Sequence, residues 1–76
     1  MIAPEKLREV LLAGLPGAQI EVTDLTGTQD HFQAVIVAPQ FRGKSRVQQH
    51  QLVYGVLGDR MKAEIHALAL QTREPE

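Results

Sequence analysis

The sequence predicts a small α+β domain with the order α-β-β-α-β, a three-stranded mixed sheet and both helices on one face of that sheet. Two segments have the apolar spacing of helices, and three have the alternating or continuous apolar pattern of strands. A turn-rich loop joins the first two strands, which predicts an antiparallel hairpin. A helix joins the second and third strands, which predicts a right-handed parallel crossover.

The first helix is predicted from Pro4 to Ala13. Proline suits a first helical position, where its missing N–H costs nothing. Apolar side chains then follow at helical spacing, namely Leu7, Val10, Leu11 and Leu15. Gly14 and the following Pro16-Gly17 pair predict the end of this helix.

Two strands are predicted next, joined by a loop from Asp24 to Asp30 around Gly27. The first strand starts at Gln19 and alternates apolar with polar residues, which is typical of a half-exposed strand. The second, from His31 to Ala38, is apolar on both faces, which favours a central position in the sheet. Pro39 is expected to end it.

A second helix is predicted from Ser45, because Ser45 and Gln48 have the spacing of a capping box. Its predicted apolar stripe consists of Val47, Val53, Val56, Leu57 and Met61. A last strand is predicted from His66 to Thr72, with leucines on one face and alanines on the other. The charged tail, residues 73–76, is expected to be frayed.

Bulk composition limits the classes of function. The chain has 76 residues, a length typical of one domain, 1–76, with a thin core. It has no cysteine, which excludes disulfides and thiol nucleophiles, and no nucleophile–base pair or phosphate-loop motif indicates an enzyme. Its apolar runs are too short for a bilayer and no secretory signal opens it, so no membrane partner and a cytoplasmic location are expected. The net charge of −1 argues against strong non-specific binding to nucleic acid, although a local basic patch remains compatible with it.

The histidines are the candidate metal ligands. His31 and His66 open two strands that are predicted to be parallel, so as neighbours they would lie roughly 5 Å apart at one end of the sheet. They could share a metal or a cluster, or each could be an ordinary polar residue at a strand end. Two imidazoles make only half of a metal site. Rieske-type iron–sulfur clusters combine two histidines with thiolates, and because this chain has no cysteine, a partner would have to bring the thiolates. His50 lies inside the second helix and is interpreted as a packed, hydrogen-bonded side chain rather than a ligand.

A basic loop precedes the second helix. It contains Arg42, Gly43, Lys44 and Arg46. Free N–H groups and the positive dipole end of a helix N-terminus favour anions, so this loop could bind phosphate or a nucleic-acid strand. The alternative is a solvated turn, and no exposed aromatic platform of the kind used for single-stranded nucleic acid accompanies it.

Several motifs together resemble the BolA family. They are DHF at Asp30–Phe32, FRGKSRVQQHQLVY at Phe41–Tyr54, IHALAL at Ile65–Leu70 and the closing TREPE. The resemblance covers nearly the whole chain and implies an α-β-β-α-β fold of the class II KH type. It also implies a heterodimer with a monothiol glutaredoxin, in iron–sulfur and iron homeostasis and stress response, with a bridging [2Fe–2S] cluster. The isolated chain would then be a monomer that carries no cofactor.

The resemblance also implies which groups hold the cluster. The glutaredoxin cysteine and a glutathione thiol serve on one side, and the histidine of the IHAL motif, His66, serves on the other. A second ligand comes from the loop between the first two strands. That loop has no cysteine or histidine here, so the remaining candidate is His31.

The same resemblance supports a second hypothesis, a DNA- or RNA-binding transcriptional regulator. Its candidate surface is the basic loop. The segment Gly43–Arg46 keeps the first glycine of a KH-type G-x-x-G loop and replaces the second with arginine. A small protein-interaction module with incidental histidines is the third hypothesis.

Overall fold

The computed structural model describes residues 2–27, 31–59 and 67–76. The two helices are α1 (Pro4–Gly14) and α2 (Arg46–Leu57), and a short 3-10 helix spans Pro39–Phe41. The strands are β1 (Gln19–Asp24), β2 (His31–Val37) and β3 (Ala67–Arg73), in the order β1-β2-β3. β1 pairs antiparallel and β3 parallel with the central β2, which confirms the predicted fold class and topology. None of the described helices is both long enough and apolar enough to cross a bilayer.

The core lies between one face of the sheet and the two helices. In β2 the alternate residues Phe32, Ala34 and Ile36 are fully buried, as the period of a strand requires. They cluster with Leu7 and Leu11 of α1 and with two residues of α2. Both helices therefore cover the same face of the sheet.

Gly14 marks the closest approach of α1 to α2. The sequence predicted that this glycine ends α1, but the helix includes it. A Cβ atom at this position would lie 2.8 Å from Cγ2 of Val56, well inside van der Waals contact. The helix thus ends one residue later than predicted, at Gly14 itself, and the missing side chain leaves room for Val56.

The predicted start of α2 is confirmed. The Ser45 N–H donates to Oε1 of Gln48 at 3.0 Å, and the Gln48 N–H donates to Oγ of Ser45 at 3.2 Å. This reciprocal pair is the capping box that the sequence indicates, and it satisfies N–H groups that a helix start otherwise leaves unpaired.

The predicted apolar stripe of α2 is partly wrong. Val47 is 66% exposed and contributes nothing to the core, whereas Gln49 is only 8% exposed. The buried row is Gln49, Val53 and Leu57, spaced four residues apart on one face of the helix. Met61, the last predicted member of the stripe, lies outside the described residues.

Two strand ends also differ from the prediction. β2 ends at Val37, one residue early, because Pro39 starts the 3-10 helix. Arg73, predicted to be in the frayed tail, is the last residue of β3, and its carbonyl accepts the N–H of Ala38 at 3.3 Å. Only residues 74–76 lack regular structure there. The predicted first residue of β3, His66, lies outside the described residues.

Candidate functional site

One end of the sheet carries the candidate metal ligand His31. This residue opens β2, is partly buried, and its carbonyl accepts the N–H of Leu25 at 2.8 Å. Its Cα pairs across the parallel ladder with Ala67, the first residue of β3. β2 and β3 thus begin side by side, as the topology predicted. The other candidate, His66, precedes Ala67 in the sequence and lies outside the described residues.

The Asp24 carboxylate, at the end of β1 beside this site, is engaged in a turn. Oδ1 of Asp24 accepts the N–H groups of Gly27 at 2.9 Å and of Thr26 at 3.3 Å, which is the hydrogen-bonding pattern of an Asx turn. Within the described ranges, no three His, Cys, Asp or Glu side chains converge as a metal site. The sequence contains no cysteine, so a cluster site built on these histidines would need thiolates from outside the chain.

The basic loop lies at the other end of the sheet. The side chains of Arg42, Lys44 and Arg46 are exposed. Gly43 adopts a φ of +75°, a conformation that favours glycine. The Lys44 N–H donates to the Phe41 carbonyl at 3.1 Å, so the backbone of the loop is held in a defined turn.

The side chain of Gln49 also holds the backbone of the basic loop in place. Its buried Nε2 donates to the carbonyl of Lys44 at 3.0 Å. Sequence reasoning missed this residue, because a glutamine in a helix is by default assigned to the solvent face. The signal that could have revealed it is its spacing, four residues before the buried Val53.

The two candidate sites lie far apart. β2 leads from His31 at one end to the 3-10 helix and the basic loop at the other. At about 3.3 Å per residue, the seven residues of β2 separate the two ends by roughly 20 Å. Cluster ligation and anion binding would therefore use different surfaces of the same small domain.

A cleft of about 550 Å³ lies between α2 and β3. Arg46 and His50 line it from the helix, and Leu70, Thr72 and Arg73 line it from the strand. His50 is partly buried, which confirms the predicted packing, but none of the hydrogen bonds within residues 2–27, 31–59 and 67–76 involves its imidazole. The sequence did not reveal this grouping, because it depends on Arg73 belonging to β3.

Comparison with known proteins gives consistent matches. The family model described as BolA-like protein matches residues 15–76. An uncharacterized protein of Rickettsia prowazekii is 35% identical over 93% of this chain and 92% of its own length. The DNA-binding transcriptional regulator BolA of Escherichia coli is 30% identical over 95% of this chain and 75% of its own length. Among solved structures, the BolA domain of SufE1 from Arabidopsis thaliana superposes with a TM-score of 0.86 at 31% identity, covering 99% of this chain and 96% of that one.

Proposed function

The chain belongs to the BolA family, and on that premise we propose that it is a non-enzymatic adaptor that pairs with a monothiol glutaredoxin and co-ligates a bridging [2Fe–2S] cluster. Its role would lie in iron–sulfur and iron homeostasis. The observation that carries the proposal is the β2–β3 register, in which His31 lies opposite Ala67. The residue before Ala67 in the sequence is His66, the histidine of the IHAL motif.

The proposed ligands on this side are His66 and His31. Imidazole nitrogen is a suitable donor to iron, and the glutaredoxin cysteine and a glutathione thiol would supply the sulfur donors that this chain lacks. Replacing two thiolates by two imidazoles on one iron raises the reduction potential of a [2Fe–2S] centre. The proposed contribution of this chain is to supply its imidazoles where β2 and β3 begin and to leave the remaining positions to the partner.

Mixing the chain with a cluster-loaded monothiol glutaredoxin tests this proposal. We expect the visible absorption and circular dichroism of the cluster to change, because donors at one iron are exchanged, and we expect a one-to-one complex on size exclusion. The cluster-loaded glutaredoxin alone is the control. A cluster spectrum that stays unaltered at saturating concentrations of the chain would count against the proposal.

A second candidate function is DNA binding. Two observations favour it, the 30% identity to the DNA-binding regulator of Escherichia coli and the fixed turn that presents Arg42, Lys44 and Arg46 to solvent. Three phosphate contacts would make the logarithm of the binding constant fall with the logarithm of salt concentration with a slope of about −3.

Fluorescence anisotropy of labelled duplex DNA between 50 and 200 mM salt measures that slope. The variant Arg42→Ala is expected to reduce it by about one, whereas Lys6→Ala, which removes a cation from α1, should leave it unchanged. Equal effects of both variants would mean that the DNA responds to net charge and not to this loop.

A further inference from the structure

The outer edge of β3 presents unpaired backbone groups. β3 is an edge strand, and no segment among the described residues pairs with its outer side. The carbonyl of Arg73 accepts a hydrogen bond from Ala38, on the side of β2. Because successive residues of a strand point their N–H and C=O groups to opposite sides, those of Leu70 and Thr72 face outward.

The cleft between α2 and β3 runs along this edge. Arg46 and His50, one helical turn apart, form its wall on the helix. Leu70 and Thr72, whose backbone groups face outward, line it from the strand. The hydroxyl oxygen of Thr72 is buried and has no hydrogen-bond partner among the described residues. An open strand edge and a groove for side chains thus lie next to each other.

The charge of this groove is uncompensated. Neither Arg46 nor Arg73 has an ion-pair partner within the described ranges, where Lys6–Glu9 on α1 is the ion pair observed. Among residues 2–27, 31–59 and 67–76, no carboxylate lines the cleft, although Glu74 follows Arg73 in the tail. A ligand that fills the groove therefore gains by bringing negative charge.

We propose that the outer edge of β3 and the adjoining cleft receive an extended acidic peptide segment of a partner protein, which adds to the sheet as a further strand. Edge strands commonly recruit peptides in this way, with main-chain hydrogen bonds giving affinity and side-chain grooves giving specificity. Acidic side chains on the helix-facing side of the added strand would meet Arg46, and those on its opposite side would meet Arg73, because side chains alternate along β3. This surface lies at the end of β3 away from Ala67, so the proposal is independent of cluster ligation.

Two other occupants fit the surface less well. The sugar–phosphate backbone of DNA offers acceptors only, so hydrogen bonds to the donors and acceptors of the strand edge would fall to the bases alone. Among the described residues, no aromatic side chain lines the cleft for stacking those bases. A second copy of the chain would bring the same uncompensated arginines. A peptide matches both the backbone pattern and the charge.

The test uses a fluorescein-labelled short peptide that repeats Glu-Glu-Val-Val, so that both faces of the extended strand carry glutamates, with anisotropy as the readout. We expect saturable binding that the double variant Arg46→Ala/Arg73→Ala weakens about tenfold, as the loss of two partly exposed ion pairs implies. Lys6→Ala, which removes one cation from α1, is the control for the loss of charge on another surface and should bind like the wild type. The same peptide with every amide N-methylated should not bind, because neither of its edges then has N–H groups to donate to β3.

Hydrogen exchange gives a residue-level readout. In the complex, the amides of Leu70 and Thr72 should become protected, while those of Gln71 and Arg73, which face β2, should exchange at similar rates with and without peptide. Equal binding of the N-methylated peptide, or protection that does not alternate along β3, would overturn the proposal. Displacement of the peptide by an oligothymidylate at physiological salt would also overturn the proposal, because it would assign the cleft to nucleic acid. Concentration-dependent dimerisation that excludes the peptide would overturn it as well, because it would assign the cleft to a second copy of the chain.

Discussion

The substitution His66→Ala is expected to abolish the spectral change that the wild-type chain causes in a cluster-loaded monothiol glutaredoxin. Loss of a partner that merely orients a metal ligand lowers metal affinity 10- to 100-fold. Loss of a ligand itself should therefore weaken cluster sharing by more than about 100-fold. His31→Ala should weaken the spectral change without abolishing it.

His50→Ala is the matched control for this experiment. It removes the same side chain from the cleft between α2 and β3, near the opposite end of the sheet. Its effect on the cluster spectrum should be nil, and far-ultraviolet circular dichroism should show that all three variants remain folded. The assignment of the ligands to the end where β2 and β3 begin would be contradicted if His66→Ala still caused the wild-type change in the cluster spectrum. It would also be contradicted if the His50→Ala variant no longer caused that change.

The topology was accessible from the sequence because local signals specify it. The change from helical to strand periodicity at Gln19 and the capping box at Ser45 each act over a few residues. The parallel crossover then follows from the order of the elements. That order predicts that β2 and β3 are parallel, but the sequence had to assume that they are neighbours. The structure shows this adjacency in the strand order β1-β2-β3.

The remaining features depend on contacts between distant segments. The burial of Gln49 depends on its hydrogen bond to the Lys44 carbonyl. Because this buried residue is polar, the hydropathy pattern of α2 does not identify the face that packs against the core. In the sequence Gly14 is typical of a helix end, and its close packing against Val56 is visible only in the structure. The position of Arg73 in β3, and with it the basic lining of the cleft, depends on pairing with Ala38.

The orientation of α2 leads to a prediction with a matched pair of variants. Val53→Ala should lower the free energy of unfolding by about 2 kcal/mol or more, since it removes buried methyl groups and leaves a cavity. Val47→Ala makes the same chemical change in the same helix, but its side chain is 66% exposed whereas that of Val53 is fully buried. The second variant should therefore stay within about 0.5 kcal/mol of the wild type.

Urea denaturation of both variants measures this difference. The gain in helix propensity from valine to alanine is common to the two and cancels in the comparison. Domains of this size have stabilities of roughly 0.05–0.15 kcal/mol per residue, so the loss at Val53 should shift the midpoint visibly. Equal losses would mean that α2 packs through a different face. Because Arg46 and His50 lie on the flank of the helix next to Val53, such a rotation would also remove them from the cleft beside β3.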